Sequence, residues 1–379
     1  MAVDSSTQRI SRLTPLGAIL TSIDARVEAV PSRACSLASA HSRVLAANVV
    51  ASKLPLRPVA LRDGFAVAAS AVADAGSYAP VPFVSLPPRV DAGEPMPVGT
   101  DAVLPLDAVT LRGDRAEAIA TISPGEGVLP AGGDAMPQTI LRRAGAHLRA
   151  SDIAVLAAAG ITDVMVREPR IRIGCGSVPK TPLVQAAIEM IARAVTAAGG
   201  TVFDADSEPE RLYEALGEVR AHAGFVVGGT GSGRGDSSVR TLARFGRVEA
   251  HGVAVSPGET AAVGYVGARP VLLLPGRLDS ALAIWLLIGR HLMAKLAGGH
   301  VEDTAKMLPL KRKVASTIGL TELIPVRYDQ DAVHGTMADP LASGYLSFES
   351  LTGSDGWISV PADSEGFAAG TPVAVRPWP

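Results

Sequence analysis

The densest run of residue types suited to chemistry is Gly228-Gly229-Thr230-Gly231-Ser232-Gly233-Arg234-Gly235-Asp236. Glycines let main-chain N–H groups come close to a ligand, so such a loop can wrap a phosphate. It is not a Walker A loop, because no Gly-Lys-Ser or Gly-Lys-Thr ends it. Nor is it a dinucleotide fingerprint, since Arg234 or Asp236 stands where the last glycine belongs. On the residues alone, a ligand-free glycine-rich turn stays open as an alternative. A second loop, Leu274-Pro275-Gly276-Arg277-Leu278, joins an apolar run to a long helical pattern, and Arg277 could fix a charge beside an anion or lie free on the surface. Three carboxylates complete the set: Asp63 in Leu61-Arg62-Asp63-Gly64-Phe65, Asp134 in Gly132-Gly133-Asp134, and Asp236. Such groups hold divalent cations through oxygen, and each taken singly also serves as a turn acceptor.

The elements that must position these loops follow from periodicity. Residues 168–305 alternate strand and helix: Arg170–Cys175 reads as a strand, and Thr181-Pro182 caps a helix over Leu183–Ala198 that Gly199 and Gly200 end. Its Val184, Ile188, Ile191 and Val195 fall on one face. Strands over Gly224–Val227, Val248–Val255 and Pro270–Leu274, a helix over Ser237–Phe245 and a long apolar helix over Asp279–Leu296 follow. That order predicts a three-layer α/β domain with a mainly parallel sheet, whose strand ends carry the two loops where helix N-termini suit anions.

Either side of it the pattern changes. The spacing predicts a helix over Cys35–Lys53, then a small β domain over residues 54–137, with short runs at Val81–Leu86, Ala102–Leu106 and Ala118–Ile122. A helix over Ser151–Gly160, capped by Ser151, and a strand over Thr162–Arg167 return the chain to the first region, so the β domain reads as an insertion. From residue 306 to 379 short β runs (Leu323–Tyr328, Trp357–Val360, Pro372–Val375) predict a second small β domain. The expected partition is 1–53 with 138–167, 54–137, 168–305 and 306–379.

Composition narrows the classes. The 379 residues carry 35 Lys and Arg against 37 Asp and Glu, a net charge of −2, which argues against a nucleic-acid surface. Hydrophobic residues make up 47% of the chain, enough to exclude wholesale disorder. Cys35 and Cys175 are too few for a disulfide framework, and a reducing cytoplasm is expected. Asp4, Arg9 and Arg12 interrupt the start, so no secretory signal is expected, and the apolar runs Ile153–Ile161 and Ala281–Gly289 are about half a bilayer span. His41, His147, His222, His251, His291, His300 and His334 show no metal-ligand spacing.

Read together, Arg62-Asp63-Gly64-Phe65-Ala66-Val67, Gly93-Glu94-Pro95-Met96-Pro97, Gly99-Thr100-Asp101-Ala102-Val103-Leu104-Pro105, Ser123-Pro124-Gly125-Glu126, Gly228-Gly229, His251-Gly252-Val253-Ala254-Val255, Pro257-Gly258 and Leu274-Pro275-Gly276 resemble the molybdopterin molybdenumtransferase family. That family includes the carboxyl-terminal domain of gephyrin. The resemblance spans most of the chain and implies a four-part subunit: a helical region, an inserted β domain, a molybdopterin-binding α/β domain and a C-terminal β domain. It also implies a cytoplasmic homodimer that inserts molybdate into adenylylated molybdopterin with Mg²⁺ or another divalent cation, releases AMP, and passes the product to a molybdoenzyme or its chaperone, without nucleic acid or membrane. By motif position, Asp63, Asp134 and Asp236 correspond to family acidic site residues, with Asp63 and Asp236 as metal ligands. Gly228, Gly229, Thr230, Gly231, Ser232, Gly233, Pro275, Gly276 and Arg277 would bind the pterin phosphate. Where the family has Lys-Pro-Gly-Lys this chain has Ser256-Pro257-Gly258-Glu259, and Gly174-Cys175-Gly176-Ser177-Val178-Pro179-Lys180 replaces a Thr-Gly-Asp-Glu turn. Ala92, Leu129 and Arg277-Leu278 likewise depart from the family's threonine, arginine and Asn-Pro. Arg277, Arg234 or Lys180 could restore the lost positive charge. A carrier that keeps the pterin pocket without catalysis is the competing expectation.

Overall fold

The computed structural model describes residues 8–112, 115–177, 179–203, 212–217, 220–301, 303–332 and 335–378; Asp4, Val178 and His334 lie outside them. The chain divides into two compact units, one of Met1–Ala47, Ala144–Ile153 and Thr162–Pro379, the other of Asn48–Arg143 and Ala154–Ile161.

A six-stranded sheet forms the centre of the larger unit. Its order is Thr201–Phe203, Arg170–Cys175, Ala223–Val227, Arg269–Leu274, Ala262–Val266, Arg247–His251. Five of the six strands run the same way and only Ala262–Val266 runs against them, pairing antiparallel with both of its neighbours, so the sheet is mainly parallel as the alternation predicts. Ala223–Val227 is buried along its whole length, the mark of a strand covered on both faces. The helix Pro182–Ala197 follows the first of these strands in sequence. Thr181 caps it by accepting the Val184 N–H, and Val184, Ala187, Ile188, Ile191 and Val195 are its buried face. The long helix expected over Asp279–Leu296 runs Leu278–Ile284 and Arg290–Ala297 with a π turn, Trp285–Gly289, between. At 20 residues it meets the length and apolarity of a membrane span, unlike the half-span its sequence suggests. Most of it, 72% of its most apolar window, is buried inside the protein. Trp285 packs edge-on to Phe225 there, in one core with Ile173, Ile191 and Leu274.

Around the sheet sit two smaller β assemblies. Thr321–Asp331 pairs with Gly335–Pro340 and Gly356–Val360, and Pro372–Pro377 and Lys306–Pro309 extend that sheet over a separate core of Ile324, Val326, Ile358 and Val360. Near the start, Asp163–Arg167 lies between Arg33–Ser36 and Val44–Leu45.

Three expectations fail locally. Cys35–Lys53 is not helical: it holds the end of Arg33–Ser36, a 3-10 turn at Leu37–Ser39, and strands Val44–Leu45 and Val49–Val50. The alanine spacing imitates a helix, but the β-branched valines find strand partners far along the chain, and tertiary pairing overrides propensity. The helix of this region is Leu16–Arg26 instead. The run Val248–Val255 is two strands, Arg247–His251 and Val255–Ser256, which join different sheets; Gly252, at φ +96°, turns the chain between them. Ser151 does not cap its helix, which spans Ala150–Ala158, since Asp152 accepts the Arg149 N–H there. The strands Thr201–Phe203 and Ala262–Val266 have no counterpart in the sequence reading.

The smaller unit is built from short antiparallel strands. Gly64–Val67 lies between Arg89–Val90 and Ala102–Leu104; Arg115–Ala118 lies between Val81–Pro82 and Val109–Arg112. Two pairs, Val59–Ala60 with Val128–Leu129 and Val49–Val50 with Ile140–Arg142, complete it. Small cores of alanine and valine, with Leu104 and Ile122 the largest members, suit so small a unit.

Candidate functional site

Three neighbouring parallel strands end side by side in the larger unit. Arg170–Cys175 runs into Gly176-Ser177, Ala223–Val227 into Gly228-Gly229, and Arg269–Leu274 into Pro275-Gly276. Hydrogen bonds knit the turns: Gly176 N–H donates to Val227 O at 2.9 Å and Gly228 N–H to Leu274 O at 2.8 Å. Ser238 Oγ donates to Gly228 O at 2.8 Å. Gly228 and Gly229 adopt φ +90° and +70°. A Cβ on Gly229 would lie 2.0 Å from Gly176 O, and one on Gly228 would lie 2.0 Å from Ser177 Oγ. Only glycine meets both demands, so the sequence reading of these glycines as close-approach positions has a geometric cause. Helix N-termini stand at the same end of the sheet: Thr181 precedes the helix Pro182–Ala197 and Ser237 the helix Ser238–Phe245. The ends of parallel strands beside helix N-termini form the setting in which open α/β sheets take anionic ligands.

The loop continues through Thr230, buried, to Gly231, Ser232 and Gly233, of which the last two are exposed. Thr230 Oγ1 lies 3.1 Å from Thr260 Oγ1, and His251 Nε2 lies 2.9 Å from Thr230 O. Asp236 closes the loop by accepting the Gly233 N–H on Oδ2 at 2.8 Å. Its carboxylate is thus a turn acceptor whose other oxygen has no hydrogen bond among the described residues. Arg234 is exposed on the same loop.

Arg277 is half exposed and held in place twice. Its guanidinium makes a two-point bond to buried Asp279, at 3.2 and 2.9 Å, and lies 4.6 Å from the centre of the Tyr345 ring. The Asp279 hydrogen bond, together with the nearby charges of Asp279, Tyr345 and Glu259, raises the guanidinium above its ordinary pKa against the opposing pull of burial. Asp279 also accepts from Ser280 and from Leu346 N–H. Glu259 folds back on its own turn, accepting the Gly258 N–H at 3.0 Å.

In the smaller unit the motif segments converge on one another. Asp63 is exposed and accepts the Ala92 N–H at 2.8 Å. Its neighbour Arg62 donates to Val103 O and to Glu126. The Ser123 N–H, and next the Arg62 side chain, hold Glu126 below the usual carboxylate range. Asp101 accepts the Ala69 N–H at 2.7 Å. Asp134 is exposed in a turn whose N–H bonds Leu54 O, and its carboxylate has no hydrogen bond among the described residues. Asp63 and Asp134 therefore belong to one unit, and Asp236 with the glycine loop and Arg277 to the other. Among the described residues no group of three or more His, Cys, Asp or Glu side chains gathers as a metal site.

Sequence reasoning missed Ser177, Ser238, Asp279 and Gln8, all of which brace these loops. Ser238 stands in the first turn of a helix and Asp279 two residues after Arg277, where an acid within reach of an arginine is a readable signal. Gln8 carries none.

Fold and site together define the class: a multidomain α/β protein whose parallel strands end in tightly packed glycine turns. Residues 2–160 match the family model of the MoeA N-terminal region (domain I and II), and residues 307–378 that of the MoeA C-terminal region (domain IV). The two matches take in more than half of the chain, which belongs to the MoeA family. Molybdopterin molybdenumtransferase 2 of Mycobacterium tuberculosis is 26% identical over 397 aligned residues, which cover 92% of this chain and 97% of that protein. Molybdopterin molybdenumtransferase 1 of the same organism is 28% identical over 289 residues, 71% of this chain and 65% of that protein. The crystal structure of the molybdopterin biosynthesis moeA protein from Pyrococcus horikoshii OT3 has a similar fold, with a TM-score of 0.74 at 22% identity over 97% of this chain and 100% of that one.

Proposed function

We propose that this protein acts in molybdenum cofactor biosynthesis by inserting molybdate into adenylylated molybdopterin with release of AMP. The observation that carries the reading is the set of turns at the strand ends: three parallel strands meet at glycines packed too closely for any side chain, beside two helix N-termini, in a chain of the MoeA family. There the loop Gly228–Gly233 would hold the pterin phosphate through the amides between its two ends, those of Gly228 and Gly233 being bonded to Leu274 O and Asp236, with Pro275 and Gly276 beside them. Arg277 supplies a positive charge that Asp279 and Tyr345 keep in one orientation, offsetting the acid at Glu259 where the family carries a lysine.

The reading includes a divalent cation, Mg²⁺, for which Asp63 in the smaller unit and Asp236 in the larger are each a candidate ligand, with Asp134 as a third acidic site residue. Asp63 and Asp236 each spend one oxygen on a turn and keep the other. Neither unit by itself gathers a three-ligand set among the described residues, so no step is derived through the metal. A homodimer in the cytoplasm is part of the same proposal, in keeping with two free, buried cysteines, and the product would pass to a molybdoenzyme or its chaperone.

The deciding experiment incubates the purified protein with adenylylated molybdopterin and molybdate, with and without Mg²⁺, beside an active family member. AMP release above the no-protein rate supports the reading; its absence while the control turns over removes the activity. One observation favours a second reading: Ser256 and Glu259 stand where the family has its lysine pair, and Glu259 is turned onto its own backbone. A carrier would bind molybdopterin or the assembled cofactor in calorimetry without releasing AMP.

A further inference from the structure

Gln8 reaches across more than two hundred residues of sequence into the glycine loop and is 7% exposed. Its side-chain Nε2 donates to Gly229 O at 3.0 Å and to Gly231 O at 2.9 Å, while its Oε1 accepts the Arg240 N–H at 3.0 Å. The Arg240 N–H lies in the first turn of the helix Ser238–Phe245, where the helix itself offers no acceptor, and the flanking Ser237 makes no side-chain cap. Gln8 is therefore a distant cap and a loop clamp at once.

The peptide plane turns this clamp into a statement about the ligand side. In a trans peptide the carbonyl of one residue and the N–H of the next point in opposite directions. With the carbonyls of Gly229 and Gly231 fixed on Gln8, the N–H groups of Thr230 and Ser232 face away from it. Thr230 is 2% exposed, and its N–H has no hydrogen-bond partner among the described residues. Buried N–H groups are rarely left unpaired in a protein without a ligand or water to take them. We infer that Gln8 is a positioning residue: it aims the Thr230 and Ser232 amides at the bound phosphate. The inference rests on the reading of this loop as a phosphate cradle and adds to it a residue outside every motif.

Two variants of the full chain separate the parts. Gln8→Ala removes all three bonds; Gln8→Glu keeps the acceptor for Arg240 but loses both donors to the loop carbonyls. Calorimetry with adenylylated molybdopterin, at a temperature where each variant is folded, should show both binding at least about tenfold more weakly, and both should have a lowered thermal midpoint because cap and clamp bonds are lost. Amide exchange should show Ser238 and Arg240 less protected in Gln8→Ala, and Arg240 restored in Gln8→Glu. A carboxylate beside the cradle also repels an anion, so a still-weak Gln8→Glu supports positioning only where the neutral Gln8→Ala is weakened as well, and a Gln8→Glu that binds like wild type overturns it. Wild-type affinity in Gln8→Ala overturns it too, while leaving the function standing. If the wild-type protein binds no pterin, the function falls, and exchange alone judges Gln8: unchanged protection in Gln8→Ala rejects the clamp, and lost protection upholds it.

Discussion

The crevice of the larger unit and the motif cluster of the smaller one solve different problems. At the strand ends the arrangement is carried by main chain: Gly176, Gly228 and Gly229 touch one another so closely that no side chain fits between them. In the smaller unit it is carried by side chains at exposed turns, Asp63 on the Ala92 N–H and Arg62 on Val103 O and Glu126. The difference teaches that a backbone cradle is inseparable from the packing that makes it, whereas a surface carboxylate can be exchanged at small cost to the fold. Substitutions in the first should appear in stability, and those in the second only in chemistry.

The sharpest break of this contrast is Gly229→Ala against Gly93→Ala. Both positions have positive φ, but a Cβ on Gly229 would sit 2.0 Å from Gly176 O, while one on Gly93 would meet nothing within 4 Å. Chemical denaturation should show a loss of about 3 kcal/mol for Gly229→Ala, from overpacking added to backbone strain, and about 1 kcal/mol for Gly93→Ala from strain alone. Equal losses would show that the crevice is no tighter than a surface turn. Next in size is Asp279→Ala. It strips a buried acceptor from Arg277, Ser280 and Leu346 N–H, with an expected cost of about 2 kcal/mol. It should also free Arg277 to leave Tyr345, so weaker molybdate use without a change in pterin affinity would tie Arg277 to the molybdate. Asp63→Ala should shift stability by no more than about 0.5 kcal/mol. If Asp63 holds the cation, AMP release should nonetheless fall more than tenfold; unchanged release would remove Asp63 from the site.

The same division explains what could be read from the chain. Strands buried on both faces and a helix with Thr181-Pro182 before it and Gly199 after it leave local marks, so the alternation of strand and helix was legible, though not the strands Thr201–Phe203 and Ala262–Val266. The glycine loop was legible because close approach demands one residue type. Cys35–Lys53 was misread because its valines pair with Asp163–Arg167 and Ile140–Arg142, partners a local pattern does not contain. Gln8 left no trace for the same reason: an amide side chain is informative only once its partners, 221 to 232 residues away, are in place.

The smallest expected effect lies at the opposite end of the central sheet from the crevice. His222 Nδ1 accepts the Arg170 N–H at 2.9 Å, at the start of the strand whose far end is Gly176. Burial, and then the charge of Arg170, lower the imidazole pKa below its ordinary 6.5. The folded protein therefore favours neutral His222, and the unfolded chain takes up the proton first as pH falls. The stability this bond gives is complete above pH 6.5 and is lost as pH drops through the lower folded value. Thermal midpoints should be flat above about pH 7 and decline toward pH 5, with a total effect below about 1 kcal/mol. In His222→Gln, whose amide oxygen can accept the same N–H without titrating, that decline should shrink, and pterin affinity should stay at the wild-type value throughout. A pterin affinity that followed the His222 titration would mean that the two ends of the sheet are coupled, and the separation of cradle from scaffold drawn above would fail.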